Sequence, residues 1–140
     1  LIRCTNASQC LAEVEFGQEA ILDAPRDILD GLAVLISRYS WNQENIYPLI
    51  ISDVLPNKRS EYWHIIEDIH QVLNVKVGTV TIFLLMLINW NKKQIEPLIS
   101  NNYFYFDKNN SSYKEEIIEN ILGRPLNLEN TSSSHIDISK

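Results

Sequence analysis

Residues 41–50 read WNQENIYPLI, and residues 90–99 read WNKKQIEPLI. Six of the ten letters agree across a spacing of 49 residues, and both tryptophan and proline are among them. A second pair follows in the same order, with HIIEDI at residues 64–69 and EIIENI at residues 116–121. Matches that recur in one order indicate an internal duplication. The repeating unit is about 50 residues long.

Three stretches of the chain have the pattern of α-helices. Residues 25–40 carry apolar side chains three and four positions apart, with Asp23 placed to cap and Pro25 in the first turn. Residues 60–74 show the same spacing, with Ser60 as the N-cap. In the second unit, residues 77–89 are apolar nearly all round, which is typical of a buried helix.

The proline of each decapeptide suits the first turn of a helix, because deeper in a helix it removes a hydrogen bond and clashes with the preceding turn. Each decapeptide therefore predicts a short helix in which Pro48 or Pro97 is the third residue. A strand over residues 46–52 is the competing interpretation, since short apolar runs suit either element. Residues 10–22 have the same ambiguity, because CLAEVEF at residues 10–16 alternates in part like a strand.

These patterns predict an all-α fold, either a compact helical bundle or a short array of helical repeats. Units of this length with two or three helices resemble HEAT and armadillo repeats, and the resemblance rests on unit length and helix number alone. The predicted domain spans residues 1–126, with an N-terminal cap (1–23), unit one (24–74) and unit two (75–126). The polar tail, residues 127–140, is predicted to be flexible.

The charge of the chain argues against nucleic acid as a partner. The net charge is −6, whereas nucleic-acid binding depends on lysine and arginine that neutralise phosphates. Residues 1–70 hold eleven acidic and five basic residues, and residues 71–140 hold seven of each. The negative field therefore comes from the first half of the chain.

The acidic residues are densest between residues 13 and 30, where six carboxylates accompany Arg26 as the only basic residue. Complementary charge speeds association and selects the partner, so this segment predicts a docking surface for a basic protein. The function we predict is non-enzymatic: an acidic inhibitor of the immunity or antitoxin type that masks a basic toxin, such as a nuclease. The residues predicted to bind this partner are Glu15, Glu19, Asp23, Asp27 and Asp30.

The run YFYF at residues 103–106 predicts a second contact surface. Four adjacent aromatic side chains cannot all face one core, and Tyr and Phe are enriched at the cores of interfaces. Tyr103 and Tyr105 are therefore further candidate partner-binding residues. They favour an alternative function, that of a scaffolding or regulatory homo-oligomer such as a homodimer. Burial against the N-terminal cap is the competing interpretation.

Few residues offer catalytic or metal-binding chemistry. Glu67 and His70 have the Glu-x-x-His spacing of di-iron bundles, but the second unit carries Leu122 where its histidine would be. The loop that starts at Asp107 begins like a calcium loop, yet its twelfth position is Ile118 instead of glutamate. We therefore predict no metal, no cofactor and no enzyme activity, and a metal-dependent enzyme using Glu67 and His70 is the least favoured interpretation.

Nothing in the sequence predicts a membrane protein. The strongest apolar run, residues 80–88, has nine residues, whereas a membrane-spanning helix needs about 20. The first residues do not form a secretory signal. The two cysteines, Cys4 and Cys10, are as ordinary in the cytosol as in an oxidising compartment. We predict a cytoplasmic protein that does not bind membranes.

Overall fold

The computed structural model describes residues 2–3 and 9–106, together with residues 119, 121 and 123, and these form a mixed α/β fold. The elements in chain order are β1 (Ile2–Arg3), β2 (Gln9–Glu15), α1 (Ala20–Tyr39), a 3-10 turn (Gln43–Asn45), β3 (Ile46–Ser52), α2 (Glu61–Leu73), β4 (Gly78–Thr81), α3 (Ile82–Trp90) and α4 (Glu96–Ser100). The predicted all-α fold is wrong, and so is the predicted array of helical repeats, because three parallel strands lie at the centre of the molecule.

The four strands form one sheet in the order β1-β2-β3-β4. β1 is antiparallel to β2, whereas β2, β3 and β4 are parallel to one another. The register of β2 and β3 runs from the pair Gln9 and Ile46 to the pair Glu15 and Ser52. Two successive β-α-β crossovers extend the sheet in one direction, and right-handed crossovers then place both helices on the same face.

Helices cover both faces of the sheet, and the side chains of β3 alternate between two cores. The α1–α2 core consists of Ile21, Ala24, Ile28, Leu32, Ile46, Ile50, Tyr62, Trp63, Ile66, Ile69, Val75 and Val77. The α3–α4 core consists of Cys10, Leu49, Ile51, Val80, Ile88, Ile99, Phe104 and Ile121. Because strand residues point alternately to opposite faces, Ile50 and Ile51 belong to different cores.

Residues 46–52 form a strand because both faces of β3 are covered. A continuous apolar run rich in isoleucine is typical of a parallel strand that is buried on both sides. Pro48 is accommodated because only β2 flanks β3 at that residue, the pairing with β4 beginning at Leu49. The helix predicted around Pro48 is therefore wrong, and the competing strand interpretation is confirmed.

The helices of the first unit were predicted better than its strands. α1 begins at Ala20 rather than at residue 25, and Pro25 lies inside it. α2 spans Glu61–Leu73, and Ser60 occupies its N-cap position, although its side chain makes no capping hydrogen bond. The ambiguous stretch at residues 10–16 is largely the strand β2.

In the second unit, the predicted helix over residues 77–89 divides into the strand β4 and the helix α3. α4 carries Pro97 in its first turn, as the second residue of the helix instead of the predicted third. Of the second HIIEDI-like match, Glu119 and Ile121 are described, and both are helical. The calcium-like loop at residue 107 and the tail at residues 127–140 lie outside the described residues.

Candidate docking surface

The predicted acidic segment spans the junction between β2 and α1, at the carboxyl end of the parallel strands. Gly17 makes the turn with a φ of +99°, a conformation that glycine adopts readily. Its N–H donates to Asp53 Oδ1 at 3.1 Å, and the same oxygen accepts the N–H of Val54 at 2.9 Å. Because Asp53 follows directly after β3, these bonds hold the ends of two neighbouring strands together.

α1 runs back along β2, so that helix residues lie over strand residues. A Cβ added to Gly31 would lie 3.4 Å from Leu11 Cδ2, which shows how closely the helix approaches the strand. Asp27 lies one helical turn before Gly31, towards the end of β2. Leu11 packs against the α1–α2 core, and alternate residues of a strand share a face. Glu13 and Glu15 therefore face the α1 side of the sheet.

Glu13 shows the electrostatic consequence of this arrangement. Its pKa is raised, first because the partly buried carboxyl group loses hydration, and then because the charges of Glu15 and Asp27 repel its own. Among the described residues, no cation contributes to this shift. The charges of Glu15 and Asp27 therefore act on Glu13 without a described cation to offset them.

The remaining predicted acids line one side of α1. Glu19, Asp23, Asp27 and Asp30 are all exposed. At about 100° of rotation per residue, these four positions fall within an arc of about 80°. Two of them also suit the helix N-terminus, because Glu19 is its N-cap and Asp23 lies in its first turn, where the helix dipole favours negative charge.

The six carboxylates of the predicted acidic segment thus lie on β2 and on one side of α1, and Glu13, which is not among the five predicted binding residues, belongs to the same group. We call this set the acidic surface: Glu13, Glu15, Glu19, Asp23, Asp27 and Asp30. The sequence carried a signal for Glu13 in the alternation of CLAEVEF, which places it on the same strand face as Glu15. It carried no signal for Asp53, because Gly17, whose backbone N–H donates to the Asp53 carboxylate, lies 36 residues away in the sequence.

The aromatic segment at residues 103–106 packs against its own chain beside β4. Phe104 is buried in the α3–α4 core, and its carbonyl oxygen accepts the Thr79 N–H at 2.8 Å. A Cβ on Gly78 would lie 3.0 Å from Leu49 Cδ1 and 3.1 Å from Phe104 Cβ, so only glycine fits there without displacement. The segment therefore lies along the outer side of β4.

The two tyrosines of this segment are half-buried. Tyr105 Oη lies 3.2 Å from His70 Nδ1, and Lys76 Nζ lies 5.7 Å from the centre of the Tyr105 ring. Tyr103 packs against the α3–α4 core. Intramolecular contacts thus occupy part of both side chains, and their predicted role in partner binding stays a prediction.

Within the described part of the chain, no group of three or more His, Cys, Asp or Glu side chains is placed to hold a metal ion. Glu67 and His70 lie on α2, and His70 Nδ1 lies within hydrogen-bond distance of the Tyr105 hydroxyl. Cys10 is fully buried in the α3–α4 core, and Cys4 lies outside the described residues.

A cleft of ≈ 560 Å³ opens at the amino ends of β3 and β4, opposite the acidic surface. Its charged lining residues are Glu44 and Lys76, and four amide side chains supply most of its other polar groups. Ligands of parallel α/β sheets bind at the carboxyl ends of the strands, which is the other end of this sheet. The described lining contains no histidine, cysteine or serine, and its side chains capable of acid–base or nucleophilic chemistry are Glu44, Tyr47 and Lys76.

No model of a protein family matches the chain, and searches of curated proteins and of solved structures returned no match. None of the helices in the described residues has the length and apolar character needed to cross a membrane.

Proposed function

We propose that this chain is a non-enzymatic binding protein that neutralises a basic protein by covering it with the acidic surface, in the manner of immunity proteins and antitoxins. The observation that carries the proposal is the grouping of six carboxylates on β2 and on one side of α1, where the charges of Glu15 and Asp27 also act on Glu13. Like charges held together destabilise the free protein, and a basic partner relieves that repulsion.

The exposure of the acidic side chains on α1 supports the same function. Glu19, Asp23, Asp27 and Asp30 form one exposed stripe, which a partner can approach without any rearrangement of the helix. Complementary charge raises association rates and disfavours wrong partners. A toxin that binds nucleic acid presents lysine and arginine to phosphates, and an acidic stripe competes for those same side chains.

The test is a charge reversal with a matched control. The test variant carries Asp23→Lys, Asp27→Lys and Asp30→Lys, and the control carries the same change at three exposed acids elsewhere, Glu44, Glu61 and Asp68. Both variants change the net charge by the same amount. Each also alters one acid in the first turn of a long helix, Asp23 in α1 and Glu61 in α2. A difference in binding is therefore due to the position of the charges.

The partner is first captured from host lysate at low salt and released at high salt, and its affinity is then measured by calorimetry. We expect the test variant to lose at least about 30-fold in affinity, because removal of several interfacial charge pairs costs about 2 kcal/mol or more. The control variant should remain within about threefold of the wild type. Circular dichroism checks that both variants are folded. Equal affinity of the two variants would show that the acidic surface is not the binding site.

A second candidate function, self-association, is favoured by the outer face of α3. Ile82, Phe83, Met86 and Trp90 lie within an arc of about 100° and are all exposed, with Trp90 67% exposed. The opposite face of α3 packs on the sheet through Ile88. Exposed apolar patches of this kind mark interaction sites.

The variant Phe83→Glu tests this second candidate. Light scattering at rising concentration should show a dimer for the wild type and a monomer for the variant if α3 joins two copies. A wild type that remains monomeric at high concentration removes the candidate. The cytoplasmic location stays a prediction from composition.

A further inference from the structure

The cleft at the amino ends of β3 and β4 has the size and the lining of a binding site for a small molecule. Its volume of ≈ 560 Å³ lies within the range of about 300 to 1,000 Å³ that is usual for ligand pockets. Such pockets combine apolar surface with a few polar groups that fix the orientation of the ligand. The buried part of this lining is apolar and consists of Leu32, Ile46, Pro48 and Val75.

One part of the cleft favours a positively charged group. The 3-10 turn supplies the exposed carboxylate of Glu44. The neighbouring Gln43 donates from Nε2 to the carbonyl oxygen of Leu73 at 3.3 Å, and this bond joins the turn to the carboxyl end of α2. The dipole of a helix is negative at that end. Glu44 and the end of α2 therefore both attract a cation.

Positive charge lies towards the aromatic segment at residues 103–106. Lys76 and Asn102 line the cleft, and together with Phe104 and Tyr105 they also line an adjoining hollow in which Glu44 takes no part. Lys76 Nζ lies 5.7 Å from the centre of the Tyr105 ring, which places the ammonium group on this side. A ligand that carries an anionic group would therefore direct it towards Lys76.

Amide side chains supply most of the other polar groups of the lining: Asn42, Gln43, Asn74 and Asn102. An amide offers both N–H donors and a carbonyl acceptor, and a peptide group has the same two functions. Two of the amides are held in place within the chain, because Gln43 Nε2 donates to Leu73 and Asn42 Oδ1 accepts the Glu44 N–H at 3.1 Å. The cleft therefore presents oriented partners for a peptide group.

We propose that the cleft binds a dipeptide with free ends and aliphatic side chains. Its ammonium group lies at Glu44 and the end of α2, its carboxylate at Lys76, its peptide group among the amides, and its side chains on the buried apolar residues. A neutral polar compound would leave both charges of the cleft without a counterpart. This site goes beyond the proposed function, because the cleft and the acidic surface lie at opposite ends of the sheet.

Nuclear magnetic resonance of the isotope-labelled full chain tests the location. Alanyl-leucine is titrated into the protein, and the side-chain NH₂ signals of the four lining amides are followed. We expect these signals to shift in a saturable manner, whereas the backbone signals of Gly17 and Asp53, at the other end of the sheet, stay unchanged. Absence of shifts at millimolar peptide, or shifts confined to other parts of the chain, would overturn the proposal.

Blocked peptides test the two charged ends of the ligand. N-acetyl-alanyl-leucine lacks the ammonium group, and alanyl-leucinamide lacks the carboxylate. Calorimetry compares both with alanyl-leucine. We expect each blocked peptide to bind about fivefold more weakly, because charge pairs with exposed side chains make a modest contribution. Equal affinity of the three peptides would contradict recognition of the free ends.

Two variants assign each end to one residue. With Glu44→Gln the acetylated peptide should bind as well as alanyl-leucine, while the amidated peptide stays about fivefold weaker. With Lys76→Gln the reverse should hold. A merely structural role would lower all three affinities together and leave both preferences intact, and that result would overturn the proposal. The matched controls Glu61→Gln and Lys58→Gln, which are exposed and lie outside the described lining, should keep both preferences.

The acidic surface provides a last control. Charge reversal at Asp23, Asp27 and Asp30 should leave the affinity for alanyl-leucine within about twofold of the wild type, because these residues lie at the opposite end of the sheet. A loss of fivefold or more in this variant would place the peptide at the acidic surface and overturn the cleft as its site.

Discussion

The two decapeptides share six letters and adopt different structures. Residues 41–50 pass through a 3-10 turn into β3, at the centre of the sheet. Residues 90–99 begin at the last residue of α3, pass through a turn and enter α4. The same proline lies in a buried strand as Pro48 and in the first turn of a helix as Pro97. The shared letters are thus compatible with either element.

The residues that differ account for the two outcomes. At the seventh position Tyr47 favours a strand, whereas Glu96 suits a helix N-terminus, where the dipole favours negative charge. Beyond the tenth position the first copy continues with Ile51 towards the α3–α4 core, while the second continues with polar Ser100 and ends its helix. Repeated letters therefore do not imply a repeated structure when the flanking residues differ in what they can bury.

The largest effect should come from the tenth position of each decapeptide. Ile50→Ala should lower the free energy of unfolding by about 4 kcal/mol, because the side chain is 0% exposed in a central strand that cannot close around a cavity. Ile99→Ala should cost about 2 kcal/mol, because α4 has five residues and can shift to fill the space. Urea denaturation of both variants measures the difference. Equal costs at Ile99 and Ile50 would mean that α4 cannot shift to fill the space left by its side chain, and the two copies would not differ in rigidity.

An exchange at the seventh position should give the next largest effect. Tyr47→Glu places a carboxylate in a half-buried site against the α3–α4 core and should cost about 2 kcal/mol. Glu96→Tyr loses a favourable charge at the start of α4 and should cost about 0.5 kcal/mol. Thermal unfolding of the two variants compares them directly. Equal losses would mean that this position does not determine the choice between strand and helix.

This contrast also explains how much of the fold was predictable. The amphipathic spacing of α1 and α2 was readable because a helix shows its buried stripe within its own sequence. β3 was misread because a strand buried on both faces has no alternation, and its run of apolar residues suits a helix equally well. β4, with the sequence Gly-Thr-Val-Thr, was merged with α3 because it lies between Val77 and the apolar helix, and no turn residue separates Thr81 from Ile82.

The site was predictable in composition but not in arrangement. Charge density alone identified Glu15, Glu19, Asp23, Asp27 and Asp30. The proximity of Glu13 to Asp27 depends on how α1 lies over β2. The hydrogen bond from the Gly17 N–H to Asp53 depends on β3 lying beside β2 in the sheet. Those are long-range properties, and no local pattern in the sequence carries them.

The tryptophans at the first position should separate the two copies again, with a smaller effect. Trp41 is half-buried and packs against the α1–α2 core, so Trp41→Ala should cost about 1.5 kcal/mol. Trp90 is 67% exposed, and Trp90→Ala should change stability by less than about 0.5 kcal/mol. Chemical denaturation followed by circular dichroism measures both without relying on tryptophan emission. A larger loss at Trp90 would mean that the outer face of α3 is covered in solution, as the self-association candidate requires.

The smallest effect concerns Glu13, which lies in register with Ile50 of the first decapeptide. The pKa of Glu13 is raised above the ordinary 4.5 by burial and by the charges of Glu15 and Asp27. A group with a raised folded pKa holds its proton more tightly in the folded state, so its contribution to stability is full below pH 4.5 and declines as the pH rises through the folded pKa. Glu13→Gln should therefore be more stable than the wild type at pH 7, by less than about 0.5 kcal/mol, and should show a flatter pH dependence.

Urea denaturation from pH 4 to pH 7 measures this, with Glu44→Gln as the control outside the acidic surface. A Glu13→Gln variant that is less stable than the wild type at pH 7 would mean that the carboxylate is satisfied in the free protein, and the repulsion that a basic partner would relieve would not exist.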